Sequence, residues 1–476
     1  MFFRLVATST QESLLHSRSL EDLQKAHIFK LPMQRFSGRS ELNGVSFGVL
    51  NIEEGVAVPL AGDIKCPFSF INRAVPENLA TAHELLWQWS LDHGFFENSI
   101  ANRNAFDKYN LVQFSAYTVL NIPEVTIDVY SQIKVHSKSV PEIVRSILES
   151  ATPLDTEQLL RQSKYLLWLF RHDNWVETHS DTSFVRQMHT RFLAALKTGK
   201  AKLITKEHYD ILRNDGNSAD LKFMNALISS IADIGRDFNR AFHALGFFES
   251  EQYLGYPDFC ASVARYLEDQ ATEATYRTRD VAVSSDLARR IRKEACGVYT
   301  VNYAALAECK LPIPRKDHSL SPMVARIGEA FSYLICHFND LISAPREIGK
   351  PNWKNNEIAM LLEEQILIFG ASEEPKKHHY QMSVKRLFGK INSDLQDALT
   401  DMEAISEADF GLSPDKTNEE LIPLLTYLAV MQQWAVGSMP AQMALDRYSK
   451  HRAEGPYIKK GECLNGDSNF WRFAFS

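Results

Sequence analysis

Apolar residues recur every three or four positions along most of the chain, the pattern of helices that turn one face to a core. The clearest stretches are NLATAHELLWQWSLDHGFF (78–96), TEQLLRQSKYLLWLF (156–170) and LKFMNALISSIADIGRDFNRAFHALGFF (221–248). Four more follow: SPMVARIGEAFSYLICHFNDLI (321–342), NEIAMLLEEQILIFG (356–370), SVKRLFGKINSDLQDALTDMEAI (383–405) and ELIPLLTYLAVMQQWAVGS (420–438). Several are apolar nearly all round, which predicts burial inside a bundle. No long alternating strand, heptad series or internal repeat is evident. Residues 1–60 are less periodic and hold two Gly-rich turns, so they read as an appended segment. The expected fold is all-α.

Composition narrows the function more than the fold. Acidic residues (59) outnumber basic ones (52), so no surplus exists to neutralise the phosphates of a nucleic acid. No apolar run reaches about 18 residues, and no integral membrane segment is predicted. The first twenty residues carry Arg4 and Arg18 and no acid before Glu12, a weak likeness to an organelle transit peptide. They lack the apolar run of a secretory signal, and a cytoplasmic location is expected. The six cysteines (66, 260, 296, 309, 336, 463) include no C-x-x-C pair, which fits a reduced intracellular protein with buried thiols.

The candidate chemistry starts in FNDLISAPRE (338–347). Asn339, Ser343 and Glu347 are spaced i, i+4, i+8 and share one helix face over two turns. All three offer oxygen, which suits a hard cation such as Mg²⁺ rather than zinc. Upstream, LLWLFRHDNWVETHSD places Asp173 and Glu177 at i, i+4 near the end of an apolar helix, with Asn174 turned away from them. Taken alone, that pair reads more simply as a solvated helix end. LARRIRKEACG (287–297) packs four cations into residues 289–293, a run whose default is a solvated face. A metal site beside arginines suits one substrate class, the diphosphates, because guanidinium reads phosphate oxygens two at a time. DRYSKHR (446–452) adds Arg447 and Tyr448 as further donors to such an anion.

In this order the pieces resemble the class I terpene synthases of the bacterial type, a type also seen in octocorals. That family's metal triad reads (N/D)-D-(L/I/V)-x-(S/T)-x-x-(K/R)-E, and NDLISAPRE matches every defined position. Its aspartate-rich motif follows a W-x-F element, as in WLFRHDNWVE, with Asn174 replacing the second acid. Its sensor arginine precedes the triad by somewhat under fifty residues, and Arg292 lies 47 before Asn339. Its terminal Arg-Tyr pair follows a Trp and a Gly, as Arg447-Tyr448 follow Trp434 and Gly437. Weaker echoes are PFSFIN (67–72) and Asn355, eight residues after Glu347.

The resemblance implies an α-helical bundle around a central apolar cavity, and Mg²⁺-dependent ionisation and cyclisation of farnesyl or geranylgeranyl diphosphate. It further implies three Mg²⁺ ions on Asp173, Glu177, Asn339, Ser343 and Glu347. Arg292, Arg346, Arg447 and Tyr448 would hold the diphosphate. A homodimer is left open. The effector position falls on Cys296, between Ala295 and Gly297, and Pro345 is expected to distort the triad helix. Trp168, Phe170, Phe331, Phe338 and Trp434 are candidate cavity aromatics, although each reads more simply as core. The implied organisation is an extension (1–60), a synthase domain (61–460) with insertions near 122–155 and 196–222, and a tail (461–476). A linear prenyl-diphosphate synthase would need two intact D-D-x-x-D motifs, and the chain has none. The remaining alternative is a catalytically degenerate prenyl-diphosphate-binding protein of the same fold.

Overall fold

The computed structural model describes residues 40–444, except 54–55, 69–70, 125–126, 129–130, 180, 214–217, 247–252, 280–283, 312, 314–320, 350, 370–375 and 409–417. An antiparallel hairpin comes first: β1 (Ser40–Glu53) and β2 (Val56–Cys66), paired from Ser40 opposite Cys66 to Glu53 opposite Val56, with register shifts between Leu42 and Val45, Ser46 and Val49, and Asn51 and Glu53. The helices α1 (Pro76–Asp92), α2 (Ile100–Asp107), α3 (Leu111–Thr118) and α4 (Val140–Ser150) follow. Next come α5 (Thr156–Thr178), α6 (Thr182–Thr198), α7 (Lys206–Arg213), α8 (Ser218–Ala244) and α9 (Tyr256–Arg279). A short α10 (Ser285–Ala295) and α11 (Val298–Ala305) lead to the long α12 (Ser321–Glu347). The last three are α13 (Glu357–Phe369), α14 (Lys377–Ala408) and α15 (Asn418–Ala444). The molecule is an all-α bundle with one hairpin added.

Local chemistry sets the helix ends. Asp155 caps α5 by accepting from Gln158 N, while the Gln158 side chain returns to Asp155 N, a reciprocal cap. The first apolar stretch ends earlier than its pattern suggests, at Asp92, because Gly94 takes a left-handed conformation at φ 78°. The triad helix α12 runs through Pro345 to Glu347. The proline falls in its final turn, where one forgone hydrogen bond does not break the helix.

The hairpin is the element that the apolar pattern did not announce. In β2, Val58, Leu60, Ile64 and Cys66 point inward, while Pro59, Ala61, Asp63 and Lys65 are exposed, an alternation of period two. It lies on α14 and touches α12 through β1. At Gly62 a Cβ would stand 2.7 Å from the Phe388 ring, so only glycine allows this approach. Asn392 of α14 bridges to the strand, accepting from Lys65 N at 2.7 Å and donating to Asp63 O at 2.8 Å. Strand β2 runs through residue 60, where the sequence suggested a division.

Close packing holds the other side of the bundle. A Cβ at Gly235 would sit 2.3 Å from Leu196 O, which explains how α8 crosses α6 so tightly. Lys164 of α5 reaches Asp233 and Asp237 of α8 at 3.1 and 2.8 Å. Arg161 meets the buried Glu308 in a two-pronged ion pair, 3.0 and 2.7 Å, and Gln162 donates to the same carboxylate. Among the described residues, no helix is long and apolar enough to cross a membrane.

Candidate active site

One cavity opens among α3, α5, α9, α10, α11, α12 and α15. Its walls follow helical spacing. On α5, Leu166, Leu169 and Phe170 give way to Asp173 and then Glu177, one stripe along one face. On α9 the series is Tyr266, Gln270, Glu273; on α12 it is Ile335, Asn339 and then Arg346 and Glu347. Each wall therefore turns from apolar or aromatic to polar toward the C-terminal end of its helix. Cross-helix hydrogen bonds join the polar ends into one cluster. Gln270 Nε2 donates to Asp173 Oδ1 at 3.2 Å, and Arg292 Nη2 to Asn339 Oδ1 at 3.3 Å. Asn355 Nδ2 donates to Glu273 Oε1 at 2.8 Å.

The charged run at 289–293 spreads its cations instead of solvating them. Arg289 takes Glu357 and Glu364, Lys293 takes Glu329 at 2.7 Å, and Arg290 stays exposed. Arg292 points to α12, where its Nη2 is 2.9 Å from Asp340 Oδ1. Burial pushes the Asp340 carboxyl up to about 6, and the Arg292 guanidinium limits the rise. The second Asp340 oxygen accepts from Glu357 N at 2.9 Å, at the start of α13. Asp340 is thus occupied on both sides.

The sequence-predicted residues divide among three situations. Asp173, Glu177, Arg292, Asn339, Arg346 and Glu347 all line the cavity. Ser343 lies on the same face of α12 but is fully buried, with Oγ 3.5 Å from Asn356 Nδ2. Arg447 and Tyr448 fall outside the described residues. Of the proposed aromatics, Phe170 and Trp434 line the cavity. Trp168, Phe331 and Phe338 are core: Trp168 stacks on His172 and donates to Leu227 O, and Phe331 packs edge-on against Phe68. The expected effector segment is where α10 stops; Ala295 and Cys296 face the cavity and Gly297 turns the chain at φ 75°. Gln270 Nε2 binds Ala295 O at 2.7 Å.

Several residues that line the cavity, or brace it from behind as Asn356 does, carry no motif signal in the sequence. Gln442 accepts from Asn339 Nδ2 at 3.0 Å, which fixes the amide so that its oxygen faces Arg292. Asn356 donates to Glu347 Oε2 and to Asp340 O, both at 2.9 Å, and so braces the triad helix. Glu273 Oε2 is buried without a hydrogen-bond partner among the described residues. Phe114 and Tyr266 complete the aromatic lining, and Phe114 lies 5.7 Å from Trp434 and 6.4 Å from Phe170. Behind Tyr266 runs a buried chain: Tyr266 Oη to His172 Nδ1, then His172 Nε2 to His189 Nε2, each 2.9 Å.

Among the described residues, no three His, Cys, Asp or Glu side chains already converge as a metal cage. The donors on facing walls nonetheless fit a hard divalent cation. They are oxygen throughout, and the orphaned Glu273 oxygen is the kind of group a cation would satisfy.

Comparison with known proteins agrees. Residues 164–367, which contain Asp173, Arg292 and the Asn339–Glu347 segment, match the terpene synthase family 2, C-terminal metal-binding region. The crystal structure of the SVS_A2 protein from ancestral sequence reconstruction is 16% identical. It overlaps 83% of this chain and 92% of its own, with a TM-score of 0.51. Two single-site mutants of that protein give 0.52, at 16% and 15% identity, over 79% and 80% of this chain and 87% of theirs. No curated protein matches the sequence. At such low identity the solved structures speak for fold alone, and residues 164–367 are similar to the metal-binding region of the terpene synthase family.

Proposed function

We propose that the chain is a terpene cyclase that ionises farnesyl or geranylgeranyl diphosphate, cyclises the resulting cation and releases diphosphate. The observation that carries this is the gradient along the cavity walls, apolar and aromatic at one end, oxygen-rich and cationic at the other. A prenyl diphosphate has the same two-ended character.

Mg²⁺, three ions by family resemblance, would be held by Asp173 and Glu177 on one wall and Asn339, Ser343 and Glu347 on the other. When bound, the metal supplies positive charge that stabilises the departing diphosphate. Arg292 and Arg346 bind the same anion from within the described cavity, joined in this reading by Arg447 and Tyr448. Gln442 holds the Asn339 amide and Asn356 holds Glu347, so neither group must be ordered when substrate arrives. The faces of Phe114, Phe170 and Trp434 stabilise positive charge on the hydrocarbon, and the apolar wall keeps out water that would quench it. The synthase domain of this reading takes in the hairpin.

The test is incubation of purified protein with each diphosphate, with Mg²⁺ or with EDTA, and gas chromatography–mass spectrometry of the extract. A cyclic hydrocarbon or alcohol that requires Mg²⁺ is expected. Absence of product from both substrates would move the reading to a degenerate diphosphate-binding protein.

A further inference from the structure

Two thiols stand together beside this site. Cys296 Sγ and Cys336 Sγ are 2.6 Å apart, within a fraction of an ångström of the ~2.05 Å of a disulfide bond. Both are free cysteines. Their positions matter more than their separation. Cys296 follows α10 one turn beyond Arg292, and Cys336 lies on α12 one turn before Asp340. The thiol pair and the Arg292–Asp340 ion pair are therefore consecutive rungs between the same two elements. Cys296 faces the cavity and is half-buried, whereas Cys336 is buried behind it.

We infer that Cys296 and Cys336 are an oxidisable pair, and that their disulfide locks the Arg292 segment to the triad helix and stops turnover. The oxidant is of the peroxide class. Peroxide entering the cavity meets Cys296 first: its sulfur takes one oxygen, the O–O bond breaks, and one water leaves. The Cys336 sulfur then attacks the sulfenic acid; the S–S bond forms, the S–O bond breaks, and a second water leaves. Two thiols lose two electrons and two protons, and one peroxide becomes two waters. Low-molecular-weight thiols reverse the change by exchange. Cys336 carries a strongly raised pKa from its thiol neighbour and its burial, so it attacks late, as the resolving partner. The remaining described thiols are poorer targets, since burial pushes Cys66 up to about 12 and Cys260 to about 11.

The effect on turnover rests on the cyclase reading, but the chemistry of the pair does not. The full chain is treated with hydrogen peroxide, its remaining thiols are alkylated, and it is digested with trypsin for mass spectrometry. A linked pair of peptides, 294–310 and 327–346, lighter by two hydrogens, is expected in wild type. It persists in Cys309→Ser, which removes the other cysteine of the first peptide, and is lost in Cys336→Ser. Recovery of Cys296 and Cys336 as separately alkylated thiols would overturn the inference. In parallel, peroxide should abolish most product formation in wild type, dithiothreitol should restore it, and Cys336→Ser should resist the treatment. A disulfide that forms without loss of turnover would overturn the regulatory role. If the reduced protein makes no product at all, the functional reading fails and the peptide map still decides the thiol chemistry.

Discussion

Asn339 is held by two partners before any ligand arrives: Gln442 fixes its nitrogen, and Arg292 marks where its oxygen looks. Asn339→Ala removes that oxygen and unties α12 from α15. Product formation in the assay above is expected to fall below detection while the circular dichroism spectrum stays helical. Turnover like wild type would remove Asn339 from the proposed metal site. Glu273 makes a second, independent case. Its buried, unpartnered oxygen keeps its shape but loses its charge in Glu273→Gln. The Mg²⁺ concentration for half-maximal rate should rise several-fold; an unchanged Mg²⁺ titration would leave Glu273 a mere partner of Asn355.

Elements were legible where one periodicity ran unbroken. The stripes of α5, α12 and α15 could be read directly, and so could the placement of Asp173, Asn339 and Glu347 on faces. The hairpin could not, because Pro59 and Gly62 interrupt its alternation. Their tolerance depends on Phe388 and Asn392, more than three hundred positions away. Gln270 and Glu273 were hidden for a related reason. A polar stripe on α9 reads as a surface until α5, α10 and α12 enclose it. A prediction belongs at this scale too. Arg161 of α5 neutralises Glu308, which is 2% exposed. Arg161→Ala strands that charge and should cost about 3–5 kcal/mol in chemical denaturation. A loss under about 1 kcal/mol would mean that Glu308 reaches water or a proton instead.

At the scale of the whole molecule, the site exists only when the chain is folded, since its walls come from positions as distant as Phe114 and Trp434. The buried histidine chain behind it makes the fold sensitive to acid. Burial lowers His189 from 6.5 to about 3, so between those values the unfolded chain binds a proton that the folded one refuses. Stability is therefore retained above the unfolded value and lost as pH falls from about 6.5 toward 3. The contribution changes by at most about 1.4 kcal/mol per pH unit. His189→Gln should flatten the dependence of the unfolding midpoint between pH 7 and 4; an equal slope would place the acid sensitivity elsewhere.

The pairing of Arg292 with Asp340 has a consequence for discrimination. The guanidinium is already paired with a carboxylate, so the diphosphate of the proposed function would compete with Asp340 for its Nη2. A singly charged anion gains little over Asp340, whereas a diphosphate brings more charge and more oxygens to the contest. In the proposed function the carboxylate would set a threshold that weak anions fail to cross. Asp340→Asn lowers the threshold, and inorganic orthophosphate should then bind measurably more tightly by calorimetry, narrowing its gap to diphosphate. An unchanged ratio would show that selectivity is set elsewhere in the cavity.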